Sequence, residues 1–221
     1  MSNWSIVTVA RESLPIMMRF VAWHLSHGAA SIHIMFDDPN DPCIEVLGRL
    51  PSVRVTRCTP EFWTSIGSRA STHFTRRQSA AFAYGYREAS TPWVLCMDAD
   101  ELIWDRDGCI SSYLDEQPPD VRGILVRTAE RVRLSDPVAG DTFRFPISAR
   151  LMRKVHGLFA IYLLGSHGIV GHKSGKSFTR TGHEISRGHP HWMVDPNNRR
   201  ITDKVVSLSD GKLLLHYYEN G

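Results

Sequence analysis

One stretch constrains this chain more than any other: Trp93-Val-Leu-Cys-Met-Asp98-Ala-Asp100-Glu101. Apolar residues run without a break and then give way at once to carboxylates. Such a run reads as a strand buried on both faces, which belongs in a sheet covered by helices. The residues before it repeat the pattern. Trp4 to Ala10 is apolar and β-branched, a strand. From Leu14 to Leu25, Met17, Phe20, Val21 and His24 recur at helical spacing, with Pro15 at the start and Gly28 as the stop. Ile32 to Phe36 is a second strand, Cys43 to Leu50 a short helix and Val53 to Arg57 a third strand. Arg69 to Ala89 reads as a longer helix, with Phe74, Ala81, Phe82 and Gly85 near one face. Strands alternating with helices predict an α/β fold: a mostly parallel central sheet with flanking helices.

In such sheets ligands bind beyond the carboxyl ends of the strands. Two acidic groups fall there: Asp37-Asp38 after the second strand, and Asp98, Asp100 and Glu101 after the fourth. A pair of carboxylates separated by one small residue suits a hard cation, Mn²⁺ or Mg²⁺. The same acids also serve as turn and helix caps, and Asp37-Asp38-Pro-Asn-Asp-Pro is turn chemistry throughout. On the helix before the acidic strand, Arg76, Arg77 and Gln78 offer cations for a diphosphate and an amide for a base or sugar; a solvated helix face is the ordinary fate of such residues.

The second half is less regular. Gly123 to Thr128 reads as a strand that Arg127 to Leu134 either extends or leaves as a loop, and Asp136 to Arg144 as a turn-rich connection. Leu151 to Lys154, Phe159 to Leu164 and Leu213 to Tyr217 are strand candidates around a polar, histidine-bearing segment, Gly171 to Arg200. Within it, Gly171-His-Lys173-Ser-Gly175-Lys176-Ser lacks the spacing of a nucleotide-triphosphatase phosphate loop. It reads instead as a cationic loop that folds over phosphates. His183-Glu184 does not continue to a zinc-protease motif, and His189-Pro-His191 has no further ligands spaced with it. His216 differs from these. It ends the apolar run Lys212 to Leu215, and a strand there returns it to the acidic cluster.

Composition removes other classes. Across 221 residues, Lys plus Arg number 26 and Asp plus Glu 23, an excess too small to indicate nucleic-acid binding. The four cysteines form no CxxC pair and read as reduced thiols of a cytoplasmic protein. No apolar run is long enough to span a membrane, while peripheral membrane contact stays open.

These elements together resemble a bacterial family-2-like glycosyltransferase of the GT-A fold. The resemblance rests on Val9-Ala10-Arg11-Glu12, on Phe20 to Leu25, on His27-Gly28 leading to Asp37-Asp38, on Gln78, and above all on Trp93 to Leu102. His172 to Lys176 and Leu215-His216-Tyr217 add to it. The chain departs from the family in having Ala10-Arg11 where Lys-Asn is usual. The resemblance implies a nucleotide-diphosphate sugar donor, with a UDP-sugar favoured, and a saccharide or glycoconjugate acceptor in surface polysaccharide synthesis. It implies metal binding by Asp98, Asp100 and His216, and donor contacts from Glu12, Asp38, Arg77, Gln78, Lys173 and Lys176. Residues 1–104 become the donor half of a single domain and 105–221 the acceptor half. The base that deprotonates the acceptor is open among Glu184, Glu130 and His183, with Glu184 placed beside Asp98 and Asp100 as catalytic. A nucleotidyltransferase, a non-catalytic nucleotide- or carbohydrate-binding module and a zinc hydrolase built on His183, His189 and His191 are the alternatives. The first expects a glycine-rich loop, and residues 8–20 contain no glycine.

Overall fold

The computed structural model describes residues 3–132, 140–163, 165, 167–169 and 171–217. The front half alternates as its sequence predicts. Strand β1 (Trp4–Ala10) is buried along its whole length and leads to helix α1 (Leu14–Ser26). Pro15 sits in the first turn of α1, and Met17, Phe20, Val21 and His24 form its buried face. Beyond the helix Gly28 takes φ of 91°, a left-handed conformation that favours glycine. Then come β2 (Ser31–Phe36), α2 (Cys43–Leu47), β3 (Val53–Arg57), α3 (Pro60–Ser65), α4 (Phe74–Arg87) and β4 (Trp93–Cys96).

The long helix expected over Arg69 to Ala89 is shorter, and α3 precedes it as a separate helix capped by the Thr59 side chain. Ser68, Ser71 and Thr72 precede α4, and such side chains compete with the helix for backbone hydrogen bonds. Ala81, Phe82 and Gly85 lie on the buried face of α4. Gly85 lets the helix approach β1 closely, since a Cβ there would stand 2.5 Å from a Val7 methyl.

Directly after the acidic cluster come β5 (Glu101–Asp105), α5 (Ser111–Asp115), β6 (Gly123–Val126) and β7 (Thr128–Val132). One predicted strand is thus two, and the chain changes sheets at Arg127. The predicted connection Asp136 to Arg144 lies outside the described residues up to 139, as do 133 and 134 of the predicted extension; β8 (Thr142–Arg144) closes it. The strands expected at Leu151 to Lys154 and Phe159 to Leu164 are helical: α6 (Ala149–His156), a 3₁₀ turn at Gly157–Phe159 and α7 (Ala160–Leu163), with Leu164 outside the described residues. The Ser148 hydroxyl caps α6 by accepting from the Leu151 amide, a start signal that short apolar runs hide. The rest is β9 (Lys176–Arg180), β10 (Arg187–Gly188), β11 (Met193–Val194), β12 (Lys204–Val205) and β13 (Lys212–His216).

The main sheet has the order β12-β6-β9-β4-β1-β2-β3. It is parallel apart from β9, which runs antiparallel between β4 and β6. A second sheet, β5-β13-β7-β8, stands beside it. Burial follows: Trp4, Ile6, Ile32, Ile34, Leu95 and Phe178 are wholly buried on one side of the main sheet, and Val7, Met35, Trp63 and Phe82 on the other. The fold is therefore the expected α/β class, with a mostly parallel sheet and an irregular C-terminal half. Among the described residues no helix is long and apolar enough to cross a membrane. Cys43, Cys58, Cys96 and Cys109 are free thiols.

Candidate active site

A cleft of ≈ 320 Å³ opens at the carboxyl ends of β1 and β4. Val9 lines it from β1, Arg11 and Glu12 from the segment just past that strand, Phe74 and Gln78 from α4, and Asp98 to Glu101 from the β4–β5 junction; Thr128, His172 and His216 close it. Strand register assembles this edge. Antiparallel pairing of β13 with β5 sets His216 opposite Glu101, and parallel pairing with β7 sets it level with Glu130. The Tyr217 amide also donates to the Asp100 carbonyl at 2.9 Å.

His216 and Asp100 face each other, with Nε2 and Oδ2 3.2 Å apart although the residues lie 116 positions apart. Behind the ring, Glu130 Oε2 lies 3.9 Å from Nδ1. Burial lowers the proton affinity of His216, but Asp100, then Glu101 and Glu130, outweigh it and raise the pKa above the usual value. Glu130 is itself buried, and accepts from Arg144 at 2.6 Å and from the Gly171 amide at 2.5 Å. Gly171 is required there, because a Cβ would strike the His216 ring.

Asp98 is held differently. Its Oδ2 accepts from Lys176 Nζ at 2.6 Å and its Oδ1 from Gln78 Nε2 at 2.8 Å. Lys176 is fully buried and lies 3.0 Å from Glu101 as well. Glu101 Oε2 accepts from the Asp98 amide at 2.9 Å. Burial pushes the Glu101 carboxyl up, to about 7, against the pull of Lys176. Burial acts on Asp98 too, but Lys176, through its charge and hydrogen bond, and Gln78 hold that carboxyl below its ordinary value. Burial lowers the Lys176 pKa, and Asp98 and Glu101 more than restore it.

Of the residues singled out in the sequence, Glu12, Gln78, Asp98, Asp100 and His216 meet at this cleft. Five others stand elsewhere. Lys176 is not on a mobile phosphate-covering loop: it starts β9, sealed beneath the acidic cluster, where its charge offsets Asp98 and Glu101. Arg77 is committed to Asp37 through its Nε and Nη2, and to the Ala70 and Thr72 carbonyls through Nη1. Asp37, which Arg11 also pairs with, is thus the anchored member of its acidic pair; Asp38 is exposed and accepts from the Asn40 amide in a turn. Lys173 lies 2.7 Å from His167 Nε2 and lines a second cavity. Glu184 is exposed just past β9, whose end Arg180 pairs with Trp93 at the start of β4. That is the opposite edge of the sheet from Asp98, too far for a base acting at the cleft.

The second cavity, ≈ 400 Å³, is lined by Phe145, Pro146, Lys173, Trp192 and Arg200 among others, and shares Thr128 with the first. His189 stacks on Trp192 with centroids 4.5 Å apart, while His191 Nδ1 lies 2.8 Å from the Gly175 carbonyl. His183 is instead bound through its backbone to Tyr86, so the three histidines of a zinc hydrolase do not converge. Among the described residues no group of three or more His, Cys, Asp or Glu side chains is placed to hold a metal ion by itself. Phe74 and Thr128 were absent from the sequence reading of the cleft; single residues on separate elements carry no spacing signal.

No family model matches the chain, and no curated protein matches it in sequence. Among solved structures, it is similar to a mannosyltransferase from Pyrobaculum calidifontis in complex with GDP-mannose and Mn²⁺, at a TM-score of 0.40 and 12% identity over 57% of this chain and 35% of that one. It is similar to a 4-diphosphocytidyl-2C-methyl-D-erythritol synthase at 0.38 and 11% identity, over 64% of this chain and 69% of that one. It is similar to the galactosyltransferase LgtC in complex with donor and acceptor sugar analogues at 0.36 and 14% identity, over 80% and 57%. The chain thus spans about a third of the mannosyltransferase it matches.

Proposed function

We propose that this chain is a metal-dependent glycosyltransferase, moving a sugar from a nucleotide-diphosphate donor, a UDP-sugar by preference, to an acceptor hydroxyl. One observation carries the reading: Asp100 and His216 oppose each other at 3.2 Å in a cleft beyond the strand ends. A hard carboxylate and an imidazole facing one point fit Mn²⁺ or Mg²⁺ bound by few protein groups, the remaining positions being filled by substrate phosphates and water. The charge balance agrees. Asp98, Asp100 and Glu130 stand against Lys176 and Arg144, with Glu101 raised to about 7 beside them, so the acids outnumber the cations they pair with. When bound, the metal neutralises charge on the departing diphosphate.

The chain's own residues supply the rest. Glu130, with Oε2 3.9 Å from Nδ1, places a negative charge behind the His216 ring, where it favours a cation bound at the ring's other side. Lys176 and Gln78 hold Asp98 rigid at the cleft wall, available to the donor's ribose side. Arg11 and Glu12 stand at the end of β1, where a nucleoside enters, and Phe74 gives that end an apolar face. The second cavity, joined to the first at Thr128, is the place for a saccharide or glycoconjugate acceptor, with Trp192 as an aromatic wall. In this division residues 1–104 mainly bind the donor, and 105–221 complete the metal site and receive the acceptor. The acceptor's base is not Glu184.

Isothermal titration of Mn²⁺ and UDP into the protein and its Asp100→Ala variant tests the reading. Nucleotide binding that requires Mn²⁺ and disappears in the variant is expected; unchanged metal-dependent binding refutes it. A thermal-shift series with nucleotide-sugars and nucleoside triphosphates separates transferase classes, since a ligand of the native state must raise its stability.

A further inference from the structure

Helices α6 and α7 show an exposure pattern that the cleft does not use. Leu158 is 94% exposed, Tyr162 83%, Phe159 75% and Ile161 70%, with Val155 at 62% and Leu151 at 45%. Globular surfaces expose single large apolar side chains freely, but not six within twelve residues of a helical hairpin. The hairpin is nevertheless anchored: Met152 and Ala160 are buried beneath it, Ser148 caps its start, and Gly157 turns the chain at φ of 56°. Exposure at its tip is therefore a property of a formed element.

The charges decide the partner. Arg150, Arg153 and Lys154 are exposed on α6 beside this apolar surface. From residue 142 to residue 183 the chain contains no Asp or Glu, so no acid neighbours these three cations along the chain. Aromatic and aliphatic residues flanked by Lys and Arg, without acids, are the chemistry of an interfacial anchor that lies in an anionic bilayer surface. An identical second copy would instead bring like charges together around the apolar patch.

We propose that the α6–α7 hairpin is a membrane-docking element, inserting Leu158, Phe159, Ile161 and Tyr162 between lipids while Arg150, Arg153 and Lys154 meet anionic headgroups. The inference stands independently of the transferase reading, because none of these residues lines the metal cleft.

Vesicle flotation with the full chain tests it, using phosphatidylcholine vesicles with and without phosphatidylglycerol. The protein should float with the anionic vesicles and not with the neutral ones, and added salt should weaken binding. The triple variant Leu158→Ser, Phe159→Ser, Ile161→Ser should stay in solution while melting at the wild-type temperature, since the replaced side chains are exposed. Arg153→Gln with Lys154→Gln should reduce partitioning about 30-fold, some five-fold per cation. Failure of the wild type to float, or undiminished flotation of the triple variant, overturns the proposal. So does a concentration-dependent dimer that the triple variant disperses, because the surface would then belong to a second copy.

Discussion

Replacing Lys176 by Met tests the central electrostatic feature of the cleft. The ammonium is fully buried and stands 2.6 Å from Asp98 and 3.0 Å from Glu101. Met keeps most of its volume and removes its charge. Two carboxylates then share a largely dehydrated site, and stripping one partner from a buried pair costs about 3–5 kcal/mol. Asp98 is 41% exposed and turns toward water, so the penalty falls mainly on Glu101, which is 9% exposed. Even with Lys176 present, burial raises the Glu101 pKa from 4.5 to about 7, which corresponds to about 3 kcal/mol against the ionised form. Without Lys176 it rises further. A folded-state pKa above the unfolded one means that the native protein binds the extra proton, so stability falls as pH rises between those values. The variant should therefore melt roughly 10 °C below the wild type at pH 8, and the gap should narrow on acidification toward pH 5. Adding Glu101→Gln should recover much of the loss at pH 8, as Gln removes the stranded charge and its amide oxygen accepts from the Asp98 amide. Thermal and urea denaturation of the two single variants and the double one across this pH range supply the cycle. A penalty under about 1 kcal/mol, or one that does not change with pH, would refute the assignment of Lys176 as the counter-charge of the acidic cluster.

Three further outcomes are expected. His24, His33 and His191 are buried, and burial lowers their pKa values to about 3, 4 and 4. His24 bridges the Phe20 carbonyl and the Ile103 amide, which only the neutral ring with its proton on Nδ1 can do. The unfolded chain takes up these protons near pH 6.5, so their stabilisation is complete above that value and fades as pH falls toward 4. Glu101 contributes with the opposite sign. Comparing His24→Gln with the wild type isolates the histidine: the melting temperature of the variant should decline less between pH 6.5 and 4. Gly171→Ala drives a methyl into the His216 ring and should weaken Mn²⁺ binding about ten-fold or more by titration, with the fold retained by circular dichroism. Gly85→Ala forces α4 away from Val7 and should cost about 1–3 kcal/mol in urea denaturation.

What the sequence made legible follows from where the information sits. Helix α1 was readable almost to the residue, because Met17, Phe20, Val21 and His24 repeat on one face and Pro15 and Gly28 bracket them. Strands β1 to β4 were readable for the same local reason. The hairpin at α6–α7 was not: its apolar residues face outward, so no buried stripe announces a helix, and short apolar runs read as strands. Strand β9 was hidden in turn, since a Lys buried at its first position makes the segment look polar.

The site itself turns on pairings that no local pattern encodes. The acids after β4 were visible as a cluster, but not that one of them is held by a buried lysine. Register between β4 and β9 continues from Leu95 opposite Phe178 to bring Lys176 beside Asp98, 78 positions away in the chain. A parallel neighbour at this place would have to end, not begin, at the cleft. Reversing one strand therefore introduces a cation exactly where carboxylates accumulate. This is why Asp98 is held as a structural wall while Asp100 faces His216. Antiparallel β5 and β13 do the reciprocal work, returning the chain so that a histidine meets the remaining acid. Two reversals in strand direction thus divide an acidic pair that looks symmetric in sequence into one acid paired with a buried lysine and one that faces a histidine.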